Sequence, residues 1–548
     1  MNKPSDQLSS KQILVIDDMV ESRGSLKRML LQLGAEKIDT AVEGDEAIAK
    51  IQQREYDLIV SDYNLGRGKD GQQILEEARY SGSFKATSIF VMVTGENAAD
   101  MVMGALEYEP DAYLTKPITP QMLAQRLKRI MQGKYHLWDM LQMIDARKYQ
   151  RAVEIANQLM ERHPNQIAPI ARQIGPVYMH LGEYNNAIRV YSSVLNEHYR
   201  SWARLGQAIC MHKLGDSLGA LSLLKDTLKR QPRYVQCYDW MARIYLTLGD
   251  KEYAQQLLRK AASISPKAVL RQRELAELAQ QNGNWLIAAN AYEQAIRLGR
   301  HSCYKSVDVY LKLADCVQPL LEQDLATNRR LGQKAQRALA ELQTDFNNQF
   351  AIQYAGYLAE ARINYIMGLP DKARHSLAMA EAMFHEMEAP QADDALSLTS
   401  TLIKCGEHVK ANEVLRNMEG MELTPAQRAS LEKQMQRLDE ASIKQNSDRV
   451  NAEGISFYED GDFRAAMKAF DEAVNYPDAG ISVLLNSIQV RVSLIKQGDC
   501  TAEESQQLIR ECRPLFQRIG SVEESDGRFE RYQRLKINFT RLLQELAT

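Results

Sequence analysis

The chain has 548 residues, more than one hydrophobic core ordinarily fills, so two or more domains are expected. Hydrophobic residues make up 45% and charged residues 25%, with a net charge of -3, which excludes a disordered chain and leaves no global basic field to hold nucleic acid or an anionic membrane. No apolar run is long enough to span a bilayer and the N-terminal MNKPSDQLSS lacks an apolar stretch, so membrane insertion and secretion are not expected and a cytoplasmic location is.

Residues 1–10 are polar and expected to be disordered. From Gln12 the pattern alternates between short apolar runs and amphipathic segments. Strands are expected at 12–17, 37–42, 56–61, 88–93 and 112–114, and helices at 19–33, 45–54, 72–80, 98–108 and 119–131. Repeated βα units over 11–133 imply an α/β doubly wound, flavodoxin-like sheet with helices on both faces. In such a sheet ligands bind beyond the carboxyl ends of the strands. There stand Asp17 and Asp18 after the first run, Asp62 after the third, Thr94 after the fourth, and Lys116 with Pro117 after the fifth. Three carboxylates, a hydroxyl and an ammonium at one sheet edge suit holding a divalent cation and carrying a phosphoryl group on an aspartate.

The strings ILVIDDM, DLIVSDYNLG, VMVTGE and DAYLTKPI carry a resemblance to the receiver domain of two-component response regulators. The resemblance implies that Asp62 is the phospho-acceptor and that Asp17, Asp18, Asp62 and the backbone carbonyl of Asn64 bind Mg²⁺. It further implies that Thr94 and Lys116 contact the phosphoryl oxygens, that Tyr113 is the switch aromatic, and that Lys116–Pro117 is a cis peptide. Phosphorylation is then expected to draw Thr94 towards Asp62 and let Tyr113 rotate inward. Gly66 stands where the family usually has proline, which implies a looser loop after the acceptor. Asn64 and Glu96 match the chemotaxis response regulator, and a short-lived phosphoryl state is expected from them.

After Gly133 strand signals cease. Gly182, Gly215, Gly249 and Gly283 recur at intervals of 33, 34 and 34 residues. Each is preceded by a small residue (Gly175, Ala208, Ala242, Ala276) and followed by Ala187, Ala220, Ala254 or Ala288, then by Tyr191, Leu224, Leu258 or Tyr292. Small residues allow close helix approach, glycine turns the chain, and Pro232 and Pro266 stop second helices. The pattern resembles the tetratricopeptide repeat (TPR), which implies an all-α superhelical solenoid with a concave groove. Repeats are expected over 134–300, an irregular helical connector over 301–350, and divergent repeats over 351–548, with a clear copy at 447–478 and a C-terminal capping helix.

The resemblance implies a groove that holds a peptide or helix of another protein. Projected onto this chain, the repeat puts Arg172, His180, Trp202, His212, Lys213, Asp239, Arg243 and Arg273 on groove-facing positions, and their basic excess points to an acidic ligand or a C-terminal carboxylate. The histidines lie in different repeats without ligand partners and are read as helix-surface groups. The seven cysteines form no metal-binding or C-x-x-C spacing and are read as small hydrophobes in a reducing compartment.

The expected function is therefore that of a response regulator phosphorylated by a sensor histidine kinase or phosphotransfer protein, with a repeat domain as protein-binding output. Enzymatic activity beyond phosphoryl acceptance and autodephosphorylation is not expected. A phosphorylation-dependent homodimer is a further expectation. The alternatives are a transcriptional or second-messenger output acting through the repeats, or a phosphate sink with constitutive partner binding. Against a nucleic-acid output, no helix-turn-helix signature follows the receiver.

Overall fold

A computed structural model describes residues 8–95, 109–388, 390–418, 422–476, 479–498, 500–524 and 526–545, with the side chains of 441–445 left aside. The helix expected at 98–108 and the residue Glu96 lie outside the described residues. The chain forms two compact units, Met1–Gly356 and Tyr357–Thr548.

The first unit begins with five parallel strands: β1 (Gln12–Ile16), β2 (Lys37–Ala41), β3 (Leu58–Asp62), β4 (Ile89–Thr94) and β5 (Ala112–Thr115). Their order in the sheet is β2-β1-β3-β4-β5. The period of two along each strand sends alternate side chains to opposite faces. Leu14, Ile16, Ile59, Phe90 and Met92 pack with Ile48, Ile51, Ile74 and Leu75, from the helices α2 (Gly44–Gln53) and α3 (Gly71–Tyr80). On the other face Ile13, Val15, Leu58, Val60, Val91 and Val93 pack with Leu26 and Leu30 of α1 (Val20–Gln32) and with Leu123 and Leu127 of α4 (Pro120–Asp145). Burial on both faces is why β1, β3 and β4 read as unbroken apolar runs.

Helix α4 departs from the sequence expectation. It starts where predicted, with Thr119 as N-cap and Pro120 in the first turn, but runs unbroken through Gly133 to Asp145. Glycine inside a helix costs only about 1 kcal/mol relative to alanine, and the second half of α4 is held by more than that. Leu137, Met140 and Leu141 are buried in the first core of the repeats. Lys134 pairs with Asp111 at 3.0 Å and donates to the Ala86 carbonyl at 3.0 Å. Asp145 accepts from the backbone amides of Ala86 (2.6 Å) and Thr87 (3.1 Å) and from the Thr87 hydroxyl (2.8 Å). One helix thus belongs to both the sheet domain and the repeats.

Antiparallel helix pairs follow, including Ile167–His180 with Tyr184–Glu197, Ser201–Lys213 with Ser217–Arg230, Val235–Thr247 with Lys251–Ile264, and Val269–Gln281 with Trp285–Gly299. The glycines at 182, 215, 249 and 283 have φ of +75°, +96°, +89° and +73°, the left-handed turn that the spacing predicts. Small residues admit an aromatic between hairpins: a Cβ on Gly175 or Gly206 would lie 2.4 or 2.5 Å from atoms of the buried Tyr191. Between 301 and 350 the period breaks because the helices lengthen, to 17 residues at Val307–Gln323 and 21 at Leu325–Asp345. Arg271, 4% exposed, forms a bidentate pair with Asp239 at 2.8 and 2.7 Å and so joins the first helices of two neighbouring repeats.

The second unit is helical among its described residues. Gly368, Gly406 and Gly461 again turn the chain at positive φ. Pro425–Glu459 is a single helix of 35 residues, opened by a capping box of Thr424 and Gln427, and it replaces the repeat signal there. At the clear repeat copy, Phe470 fills the space over Gly454, where a Cβ would lie 2.6 Å from the ring. Arg491 is 5% exposed and pairs with Asp471 at 2.8 Å and Glu511 at 3.1 Å.

Candidate functional site

The carboxyl ends of β1, β3, β4 and β5 bring together Asp17, Asp62, Thr94 and Lys116. The Lys116 ammonium lies 3.0 Å from Asp17 and 2.9 Å from Asp62. Asp17 is fully buried and Asp62 7% exposed, while Asp18 stands at the rim. Backbone geometry fixes Asp17 further: its carboxylate accepts from the Met19 amide at 2.9 Å, and its carbonyl from the Arg23 guanidinium at 2.6 Å. Gly71 lets α3 start directly under Asp62, since a Cβ there would lie 2.3 Å from the Asp62 carbonyl oxygen. The Lys116–Pro117 bond is cis.

Burial pushes the Asp62 carboxyl above its usual range, against the opposing effect of Lys116. Burial acts to lower Lys116, but its hydrogen bonds to Asp62 and Asp17 outweigh it and raise the ammonium. The pocket thus holds an ion pair short of positive charge, three carboxylates to one ammonium.

Oxygen donors of Asp17, Asp18 and Asp62 all lie within 4.8 Å of one another. Among the described residues this is the one group of three acidic, histidine or cysteine side chains so arranged. Hard carboxylate oxygens at that spacing fit Mg²⁺ better than a soft metal. Gly66 keeps the rim open, as a Cβ there would come within 3.0 Å of the Asp18 carboxylate. The cleft above has a volume of about 350 Å³ and is also lined by Tyr63, Asn64 and Gly95. Asn64 is exposed, and its side-chain oxygen faces the Gly66 amide at 3.4 Å. Thr94 is buried at the end of β4. Tyr113 already packs against the core behind it, with its hydroxyl buried and unpartnered among the described residues.

The expected groove residues meet different fates. Arg172 pairs at 2.9 Å with Glu109, just before β5, and lies over the Trp202 ring at 5.7 Å. Arg243 pairs with Glu274 at 2.6 Å and stacks on Trp240 at 5.2 Å, and Arg273 reaches Asp308 at 3.5 Å. His212 bonds the Ser217 hydroxyl at 2.9 Å, and Lys213 is exposed. The cations are thus largely matched by carboxylates from neighbouring elements rather than left for a ligand. His180 packs edge-on against Tyr149 at 4.8 Å.

Sequence reasoning missed the contacts between sheet domain and repeats. Tyr63, the residue after Asp62, accepts a hydrogen bond from the Lys267 ammonium at 3.1 Å, and the same cation sits 5.2 Å from its ring. The Gln73 amide on α3 donates to the Leu298 carbonyl at 3.2 Å, and Tyr80 meets Tyr304 edge-on at 5.5 Å. One signal was present: Arg200, Arg233, Lys267 and Arg300 recur at 33, 34 and 33 residues in the loops between repeats.

The described residues contain no helix long and apolar enough to cross a membrane. A family model for the response regulator receiver domain matches residues 13–128, and one for the tetratricopeptide repeat matches 235–267. The transcriptional regulatory protein ResD of Bacillus subtilis is 36% identical over 126 residues, 23% of this chain and 50% of ResD, so the chain spans half the length of that relative. The chemotaxis protein CheY of Pseudomonas aeruginosa is 28% identical over 22% of this chain and 95% of its own. Among solved structures, chemotaxis protein CheY4 of Vibrio cholerae matches 22% of this chain and 98% of its own at 28% identity and a TM-score of 0.21. A tetratricopeptide repeat protein from Parabacteroides merdae matches 49% and 98% at 16% identity and a TM-score of 0.29. With its acidic cluster, its five-stranded parallel sheet and its turn glycines in register, the chain carries a response regulator receiver domain at residues 13–128 and, within a helical solenoid, a tetratricopeptide repeat at 235–267.

Proposed function

We propose that the protein is a non-enzymatic cytoplasmic response regulator whose Asp62 takes a phosphoryl group from a sensor histidine kinase or phosphotransfer protein, and whose repeats bind a protein partner in a phosphorylation-dependent way. The observation that carries this reading is the link between the two parts: Tyr63, next to the acceptor, is held by Lys267 of the repeats.

An Asp62 oxygen forms the new O–P bond as the donor's N–P bond breaks. Asp17, Asp18, Asp62 and the Asn64 carbonyl would hold Mg²⁺, which supplies positive charge against the carboxylates and the transferred group. Lys116, now shared between Asp17 and Asp62, neutralises a phosphoryl oxygen. The Thr94 hydroxyl supplies a hydrogen bond to another, which changes the packing in front of Tyr113. Because β3 leads directly into Tyr63 and then α3, a shift at Asp62 is felt at Lys267, Leu298 and Tyr304. Asn64 flanks the path of a hydrolytic water and favours a short-lived state.

The test is a pull-down from native cytosol with wild type and Asp62→Ala, each with and without beryllofluoride and Mg²⁺. A partner that changes with beryllofluoride in wild type alone supports the reading. The same partners in all four samples overturn it in favour of a constitutive scaffold.

A further inference from the structure

Between the receiver and the repeats lies a second cavity, of about 1300 Å³, larger than the 300–1,000 Å³ usual for small-molecule pockets. One wall is receiver: residues 109–113 and α4, which contributes Arg126 and Arg129, one helical turn apart on one face. The other wall is the loop edge of the repeats, with Arg200 and Arg233. The lining holds five arginines against two carboxylates, and both carboxylates are engaged. Glu109 pairs with Arg172, and Asp111 with Lys134. Arg126, Arg129, Arg200 and Arg233 are exposed and have no carboxylate partner among the described residues, unlike Arg172, Arg243 and Arg273.

We infer that this cavity binds an extended acidic peptide, gripped by receiver and repeats together. The inference rests on the reading that the repeats bind a protein partner, and it names where and by what chemistry. Guanidinium groups recognise carboxylates in bidentate fashion. Arg200 and Arg233 stand at equivalent positions of adjacent repeats, whose first helices pack about 10 Å apart. Side chains three apart in a polyproline-type chain share a face and lie about 9 Å apart. Charges spread in this way fit carboxylates along a chain better than the clustered phosphates of one nucleotide. Tyr234 and Trp202 in the same lining offer rings for intervening apolar residues. Tyr113 reaches the same lining, so occupancy of the cavity and the state of Asp62 act on one side chain.

The test is fluorescence anisotropy on the full chain with a labelled twelve-residue probe, four copies of Glu-Phe-Pro, and its Lys-Phe-Pro counterpart. The acidic probe is expected to bind in a salt-sensitive way and the basic one not. The double variants Arg126→Gln/Arg129→Gln and Arg200→Gln/Arg233→Gln are each expected to weaken binding at least tenfold, with unchanged circular dichroism. Equal binding of both probes, no binding of the acidic probe, or its displacement by an equimolar nucleoside triphosphate overturns the inference. Loss with the repeat pair alone also overturns it, because the receiver is then no wall of the site. The same titration with beryllofluoride and Mg²⁺ in wild type and Asp62→Ala separates the two ideas. An affinity that ignores beryllofluoride, yet falls in both arginine pairs, leaves the site standing and removes the switch.

Discussion

The receiver and the repeats within Met1–Gly356 use charge in opposite ways. In the receiver, carboxylates are gathered at one sheet edge with a single ammonium among them, an arrangement that stores repulsion and invites a cation and a phosphoryl group. In the repeats, charges are spread along the solenoid, and several are matched across neighbours: Asp239 with Arg271, Arg243 with Glu274, Arg273 with Asp308. The first arrangement is, in the function proposed, a site that ligands complete. The second is a framework, and at its loop edge Arg200 and Arg233 have no carboxylate partner among the described residues.

The sharpest break in this comparison is Asp62→Ala. It should abolish phosphoryl incorporation from acetyl phosphate, read by mass spectrometry, while the melting temperature of the chain barely moves. Removal of Mg²⁺ by a chelator should do the same in wild type, and Asp18→Ala should shift the Mg²⁺ requirement upwards at least tenfold. If either protein is labelled on Asp62 at the wild-type rate without added metal, the carboxylates are not a metal site. In the framework the effect should be on folding instead. Arg271→Ala leaves Asp239 half-buried and unpaired and should cost about 3–5 kcal/mol in urea denaturation. Tyr191→Ala empties the space between Gly175 and Gly206 and should cost a similar amount, about 3–5 kcal/mol. Gly206→Leu drives a side chain into the same ring and should cost about 1–3 kcal/mol. The smallest effect should come from Lys267→Ala, which removes one hydrogen bond and one cation–π contact worth about 1–2 kcal/mol together. Its readout is faster amide exchange in residues 63–73, with global stability lowered by no more than that amount. Unchanged exchange there would mean that Lys267 does not hold the loop.

The sheet and its edge were legible because their logic is local. Each of β1, β3, β4 and β5 announces itself by an apolar run, and the residue it brings to the polar cluster (Asp17, Asp62, Thr94, Lys116) follows within two positions. The turn glycines and the packing of Tyr191 on Gly175 were legible because a fixed period repeats one steric solution. What escaped was set by partners far away in sequence. Gly133 reads as a stop, yet Asp145 and Lys134 reach back to residues 86–88 and 111 and carry the helix through it. Groove cations were read as free because their carboxylates lie about one repeat on, at 274 and 308. The helix at Pro425–Glu459 has no sustained apolar stripe that a period could reveal. The contact of Lys267 with Tyr63 spans 204 residues and leaves no local mark beyond the basic ladder itself.

The unbroken helix α4 also makes the junction a matter of phase. Each residue added to a helix advances its azimuth by about 100° and its length by about 1.5 Å. A single residue inserted near Gly133 would therefore swing everything after it around the axis, and Asp145 would turn away from Ala86 and Thr87. Seven inserted residues, close to two full turns, would nearly restore the bearing but displace the repeats by about 10 Å. Lys267 would then pass Tyr63 by. The spacing between Asp62 and the repeats is thus a gauge length, set by the count of residues in one helix.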